Sequence, residues 1–267
     1  MSLDFWSTVE PADLFKAVAE EGNRKQVVKV LRSLTPDPVW TNVIVEQIEA
    51  GAIDVRCFVS WLAMKLQPKS YLEVGVRRGF SMAMVAAQCP EAAIHGFDMW
   101  IPEYTGVSNP GPQFVQSEMK RLGYNKEVSL VNGDSHKTLP AFFGGGGVRL
   151  WDRLRIGGTA KAKPVQSTFD LIVIDGDHSL LGGHQDLLDT MPHCSVGGVV
   201  VFDDIAPDLS QFSPAELDEI KKELGEDPHG WGSLLGVWRA IQKRFPNFRY
   251  FEYTSTPPGT GLAVRLS

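Results

Sequence analysis

The stretch Tyr71-Leu72-Glu73-Val74-Gly75-Val76-Arg77-Arg78-Gly79-Phe80-Ser81 reads as a buried strand that runs into a glycine turn and then into a helix. In α/β enzymes, ligands bind at such junctions, outside the carboxyl ends of parallel strands. The pattern is Glu-x-Gly-x-x-x-Gly-x-Ser. Its glycines let backbone approach a ligand, and its acid offers two acceptor oxygens to an amine or hydroxyl. This is not the Gly-x-Gly-x-x-Gly loop that turns a helix N-terminus toward a pyrophosphate. A carboxylate two residues before the first glycine repels a pyrophosphate and suits a cationic, amine-bearing ligand. Taken alone, the motif also fits an ordinary tight strand-to-helix turn.

The flanking sequence extends the α/β reading. From residue 70 onward, short apolar runs at 71–74, 93–97, 128–131, 169–174 and 199–202 read as strands, and helical stretches fall near 80–89, 112–122, 135–142 and 179–191. This alternation predicts a doubly wound, Rossmann-like and mainly parallel sheet. Two further runs, 248–253 and 261–265, are separated by Thr254-Ser255-Thr256-Pro257-Pro258-Gly259-Thr260. That connection is too short for a helical crossover, so the seven-stranded sheet is expected to end in an antiparallel hairpin. Residues 1–66 form a separate N-terminal helical segment, with one apolar stripe at Val27, Val28, Leu31 and Leu34 and another at Val55, Phe58, Val59, Leu62 and Leu66. Breaks fall at Gly22, at Thr35-Pro36-Asp37-Pro38 and at Gly51. Such a half-buried segment packs on the main domain, 67–267, or on a second subunit in a homo-oligomer. Two irregular stretches stand out: a glycine-rich excursion from Gly144 to about Thr168, and residues 205–232, a candidate substrate lid directly after a strand end.

Composition narrows the function classes. Of the 267 residues, 43% are hydrophobic and 22% charged, as in ordinary globular proteins. A formal net charge of −6 lacks the clustered basic footprint of a nonspecific nucleic-acid binder and favours a small-molecule substrate. The three cysteines, Cys57, Cys89 and Cys194, have no CxxC spacing and read as packed thiols rather than a disulfide framework or zinc cluster. No basic flank precedes an apolar leader and no run is apolar enough to span a bilayer, so a cytoplasmic protein without membrane contact is expected.

The chemistry concentrates at two later strand ends. The apolar run 169–174 delivers Asp175, Asp177 and His178, and the run 199–202 delivers Asp203 and Asp204. If the two strands are neighbours, Asp175, Asp203 and Asp204 converge at one rim. Crowded carboxylates repel one another unless a proton or cation intervenes, and hard oxygen donors suit Mg²⁺, Mn²⁺ or Ca²⁺. The alternative, aspartates capping the following helices, suits Asp177 or Asp204 singly but not the whole set. His178, with an ordinary imidazole pKa near 6.5, is a candidate general base beside that metal, and Asp177 is the other. Trp100, Tyr104, Trp231 and Trp238 are candidates to line an acceptor site, although buried structural aromatics are the commoner case.

These motifs together resemble the class I S-adenosylmethionine-dependent methyltransferases, and within them the metal-dependent small-molecule O-methyltransferases that include the catechol and the macrocin and mycinamicin sugar O-methyltransferases. The resemblance runs from about residue 68 to the end, through the glycine motif, Gly96-Phe97-Asp98, Gly133-Asp134-Ser135, Ile174-Asp175-Gly176-Asp177-His178, and Gly197-Gly198 with Asp203-Asp204. It implies that Glu73, Gly75, Gly79 and Ser81 surround the methionine part of S-adenosylmethionine, that Asp98 accepts from the ribose hydroxyls, and that Asp134 and Ser135 lie by the adenine. It further implies Asp175, Asp203 and Asp204 as ligands of a divalent metal, Mg²⁺ foremost. In the catechol enzymes the residue three after the first metal aspartate is a lysine; His178 stands there in this chain, as in the macrolide-sugar branch, and some sugar enzymes assign the base to the position of Asp177. The function implied is methyl transfer to a hydroxyl of a sugar, phenol or natural product. An oxidoreductase or hydroxylase on the same strand framework, and a non-catalytic cofactor-binding protein, are the alternatives.

Overall fold

A computed structural model describes residues 1–103, 109–144, 168–206 and 233–267. Most of the glycine-rich excursion and of the 205–232 candidate lid, together with Tyr104 and Trp231, lies outside the described residues. Seven strands form one sheet: β1 (Ser70–Val74), β2 (Ala93–Asp98), β3 (Ser129–Asn132), β4 (Phe169–Ile174), β5 (Cys194–Asp203), β6 (Phe248–Tyr253) and β7 (Thr260–Arg265). Their order is β3-β2-β1-β4-β5-β7-β6. The first five pair in parallel, whereas β7 runs antiparallel to both β5 and β6, as the short connection required. Chain direction across the sheet reverses between β1 and β4, and an open α/β sheet forms its ligand crevice at that switch point. Glu73 and Asp175 sit on either side of it.

Both faces of the sheet are covered, which is why the central strands read as nearly continuous apolar runs. On one face Leu72, Val74, Ile172, Ile174, Val200 and Phe202 pack with α8 (Ser135–Phe143), α9 (Leu180–Thr190) and α10 (Leu234–Arg244) through Leu139, Leu187, Trp238 and Ile241. On the other face Tyr71, Leu171, Val173, Val199 and Val201 meet α6 (Phe80–Gln88), α7 (Pro112–Arg121) and the N-terminal helices. Trp238, a candidate acceptor wall from sequence, is fully buried against Phe202 and Tyr250 and belongs to this core.

The N-terminal segment is α1 (Leu3–Thr8), α2 (Pro11–Val18), α3 (Glu21–Ser33), α4 (Trp40–Glu49) and α5 (Val55–Leu66). It lies on its own sheet: Trp6 packs against Trp61 and Phe251, and Phe15 and Phe58 against Tyr253. The first helix is pinned by Arg249 of β6, whose guanidinium donates to the Trp6 and Val9 carbonyls, both at 2.6 Å. Asp54 starts α5 by accepting from the amides of Arg56 and Cys57.

Strand β5 begins five residues earlier than periodicity suggests. Gly197 adopts φ +79°, the β4–β5 register shifts between Phe169 and Leu171, and a Cβ on Gly198 would lie 3.0 Å from the Asp170 carbonyl oxygen. These glycines carry the strand through an irregularity that sequence alone reads as a turn. The three cysteines are free and buried, and burial raises the Cys57 and Cys194 thiols to about 12 and the Cys89 thiol to about 11. Among the described residues, no helix is long and apolar enough to cross a membrane.

Candidate active site

The carboxyl ends of four parallel strands are laced together by backbone. The Gly75 amide donates to Phe97 O (2.9 Å), the Asp175 amide to Val74 O (2.8 Å) and the Gly133 amide to Asp98 O (2.9 Å). At Gly75 the approach is too close for any side chain. Its φ is +88°, and a Cβ would lie 1.8 Å from the Asp175 carbonyl oxygen. Gly75→Ala is therefore expected to destabilise the protein by about 3 kcal/mol or more, combining left-handed strain with a backbone collision. A chemical unfolding midpoint matching that of the unaltered protein would contradict this packing.

Glu73 is buried beneath the glycine turn and accepts from the Tyr71 hydroxyl at 3.0 Å. Burial raises its carboxyl well above the usual range; the Tyr71 hydrogen bond opposes this, while the negative charges of Asp175 and Asp98 reinforce it. Such a site gains from a cation. Ser81 is likewise buried, in the first turn of α6, and Gly79, with φ +78°, caps that helix. At the end of β2, Asp98 accepts from the backbone amides of Arg77 (2.6 Å) and Trp100 (2.5 Å), and the Trp100 indole N–H donates to Arg77 O (3.0 Å). Each Asp98 oxygen keeps a second lone pair for a hydroxyl donor. Asp134 opens α8, accepting from the His136 amide and from Lys137, with Ser135 as the first helical residue.

The second cluster lies one strand across. Oxygen and nitrogen atoms of Asp175, His178 and Asp204 all fall within 4.8 Å of one another. His178 Nδ1 lies 2.5 Å from Asp204 Oδ2, and its Nε2 lies 3.6 Å from Asp175 Oδ1. Asp204 reaches inward from a left-handed backbone, φ +57°, directly after β5. Burial and the nearby Asp204 charge raise Asp175 to about 7, against the pull of His178 and Arg56. The hydrogen bond to Asp204 leads the rise of His178 to about 9, with burial opposing and Asp175 and Asp203 adding. Asp203 is buried, accepts from Thr260 Oγ1 at 3.1 Å and is pushed upward by burial and by both neighbouring aspartates. Carboxylates whose ionised forms are disfavoured by burial and by one another, as at Asp175 and Asp203, with the Asp175, His178 and Asp204 donor atoms this close together, fit a divalent ion.

Asp177 points away from this cluster. Its Oδ1 accepts from the Ser179 amide at 2.8 Å, and its carboxyl lies so close to Gly182 that a Cβ there would be 2.0 Å from Asp177 Cγ. It braces the turn that enters α9. His193 stacks on Phe143 at a distance from both clusters. Sequence reading missed the Asp54–Arg56 pair, joined at 2.6 Å at the start of α5. Its guanidinium sets positive charge beside Asp175 and Asp203. The helix-cap pattern Asp54-Val55-Arg56 was legible, but its place at the rim was not. Asp186 and His136, treated below, were missed as well.

Residues 72–205, half of the chain, match the family model described as a methyltransferase domain. The chain belongs to that family. This methyltransferase is of class I, its sheet is the Rossmann-like one of S-adenosylmethionine-dependent enzymes, and the family displaces the oxidoreductase alternative. Among solved structures it is similar in fold to cofactor-bound Rv0187 from MTB, at 16% identity and TM-score 0.51 over 97% of this chain and 99% of that one. It is similar also to the O-methyltransferase TomG from Streptomyces achromogenes, solved with SAM and involved in tomaymycin synthesis: 14% identity, TM-score 0.54, 88% of this chain and 92% of that one. The SAH-bound methyltransferase PaMTH1 of Podospora anserina matches at 16% identity and TM-score 0.53 over 97% and 96% of the two chains. No curated protein matches this methyltransferase by sequence.

Proposed function

We propose that this methyltransferase moves a methyl group to a hydroxyl of a small molecule with the help of a divalent metal. The observation that carries the reading is the convergence of Asp175, His178 and Asp204 one strand away from the buried carboxyl of Glu73. When bound, S-adenosylmethionine supplies an electrophilic methyl group and a hard cation supplies a Lewis acid that acidifies a coordinated hydroxyl. Asp175 and Asp204 would hold the cation, with Asp203, outside the group of three and accepting from Thr260, as the third carboxylate. Glu73 faces the positive end of the methyl donor, Ser81 and the glycine turn enclose that end, and Asp98 accepts from its ribose. Asp134 and Ser135 lie by its adenine.

His178 takes the acceptor's proton. Its ring lies between Asp204 and Asp175, whose negative charge favours the protonated form. A metal ion held by those aspartates would offset that charge and leave the ring neutral and able to accept a proton. Asp177, already engaged by the Ser179 amide, is the weaker candidate. A vicinal pair of oxygens, as in a catechol or a sugar diol, suits such a chelating centre, and the net charge of −6 favours a small acceptor over a nucleic acid.

Metal binding at this cluster must displace the protons of Asp175, near 7, and of the His178 ring, near 9. Affinity for Mn²⁺ is therefore expected to rise as pH climbs from about 6 toward 9, with net proton release in that window. Calorimetry of Mn²⁺ binding in buffers of different ionisation enthalpy reads both quantities. A flat affinity without proton release would count against the cluster as the metal site.

A further inference from the structure

Asp186 in α9 is completely buried, yet neither carboxylate oxygen meets a well-aligned hydrogen-bond donor among the described residues. An unmatched carboxylate in the interior is costly unless a charge or a shared proton compensates. The Ser135 hydroxyl and the Asp177 backbone amide ease its burial, and the His136 ring is the ionisable group set beside it. Its Nε2 lies 3.5 Å from Asp186 Oδ1 and 3.3 Å from Gly182 O, two acceptors for a hydrogen on that nitrogen. The opposite nitrogen, Nδ1, faces Asp134 Oδ1 at 3.6 Å. The imidazole is thus suspended between the first turn of α8 and the interior of α9. On its far side Asp186 abuts the β4 rim: a Cβ on Gly176 would stand 3.4 Å from Asp186 Oδ2. Burial raises Asp186 to about 6; the Ser135 hydroxyl, the His136 ring and a hydrogen bond from the Asp177 amide oppose this, while the Asp177 charge reinforces it.

We propose that Asp186 and His136 are positioning residues, a buried carboxylate–imidazole clamp that fixes the β3–α8 turn against the β4 rim and so sets affinity for the nucleoside end of the methyl donor. The inference rests on the methyltransferase reading and deepens it. Strands lie about 4.8 Å apart, so the rim from β4 across β1 and β2 to β3 spans about 14 Å. A donor whose methyl end faces the metal cluster of β4 and β5 extends its nucleoside end toward β2 and β3. The turn that meets it there, Gly133-Asp134-Ser135-His136, is joined to Asp98 by the Gly133 amide and to α9 by the His136 ring. Gly133, at φ +144°, gives this turn little stiffness of its own. The clamp supplies it. The charged groups facing the pair are Asp134 and, from the β4 rim, Asp177, with Lys137 held by Asp134.

The test combines S-adenosylhomocysteine calorimetry with NMR of the His136 ring. His136→Ala is expected to weaken S-adenosylhomocysteine about tenfold or more, within the range usual for residues that orient a binding group from behind. His136→Gln, which keeps a donor near the Nε2 position, is expected to recover most of that loss. Asp186→Asn is expected to weaken binding in the same direction and to shift the ring nitrogen resonances of His136 as the partner of its Nε2 changes, a signature that a merely space-filling Asp186 would not produce. In the His136 variants Mn²⁺ affinity stays within twofold. Unchanged S-adenosylhomocysteine affinity in His136→Ala and Asp186→Asn, a parallel loss of Mn²⁺ affinity, or His136 ring nitrogen resonances indifferent to Asp186→Asn would each overturn the clamp. Failure of the unaltered protein to bind S-adenosylhomocysteine would instead remove the cofactor reading, and the clamp's role with it.

Discussion

Asp175→Asn is expected to reduce methyl transfer by about 10³-fold or more while S-adenosylhomocysteine affinity changes by no more than a few fold. A Lewis acid at the acceptor oxygen contributes several kcal/mol to the barrier, and each 1.36 kcal/mol is a factor of ten. Asparagine keeps the shape of the side chain, and the Asp175 amide still donates to Val74 O, so the rim survives while the charge that holds the cation is lost. Turnover is read as S-adenosylhomocysteine released in the presence of a panel of vicinal diols, and excess chelator is expected to reproduce the loss and added Mg²⁺ to reverse it. Asp203→Asn separates two roles for its buried carboxyl. Its Oδ1 accepts from Thr260, a bond asparagine can keep, so a loss as large as that of Asp175→Asn assigns Asp203 to the metal, and a small one assigns it to bracing. Full activity in excess chelator would sink the metal-assisted mechanism.

His178→Ala is expected to lower turnover by about 10²–10⁴-fold, the span of a general base, with S-adenosylhomocysteine affinity unchanged. In the unaltered protein the rate rises with pH through an imidazole ionisation, since only the neutral ring accepts a proton, and that limb disappears in the variant. The ring stands near 9 in the metal-free protein because Asp204 and Asp175 surround it with negative charge, so a cation on those acids moves the ionisation downward. Asp177→Asn is expected to cost little, because an amide oxygen can still accept from the Ser179 N–H. A dead Asp177→Asn beside an active His178→Ala would transfer the base role to the aspartate.

The sheet was legible because its strands are buried on both faces and therefore apolar throughout, and because the β6–β7 connection was too short for any crossover. The irregular start of β5 was not, since Gly197 and Gly198 look like turn residues when the neighbouring strand cannot be seen. At the site, the glycine turn and the strand-end acids stood out as polar residues ending apolar runs. Which partner each acid takes did not stand out. Asp177 and His178 are adjacent in sequence, yet the turn into α9 turns one toward Gly182 and the other toward Asp204. Arg56, Asp186 and His136 lie on helices, where a lone polar residue in an amphipathic pattern gives no sign that it faces inward. Their roles depend on long-range packing of α5 on β4 and β5 and of α9 on α8.

Calorimetric titration of the purified protein with S-adenosylhomocysteine tests the central claim most directly, because the glycine turn, Glu73 and Asp98 are all read as parts of one cofactor site. Binding in the micromolar range is expected, about −8 kcal/mol, and it weakens in Glu73→Ala and Asp98→Ala. No heat with S-adenosylhomocysteine, alongside tight binding of NAD, would contradict it.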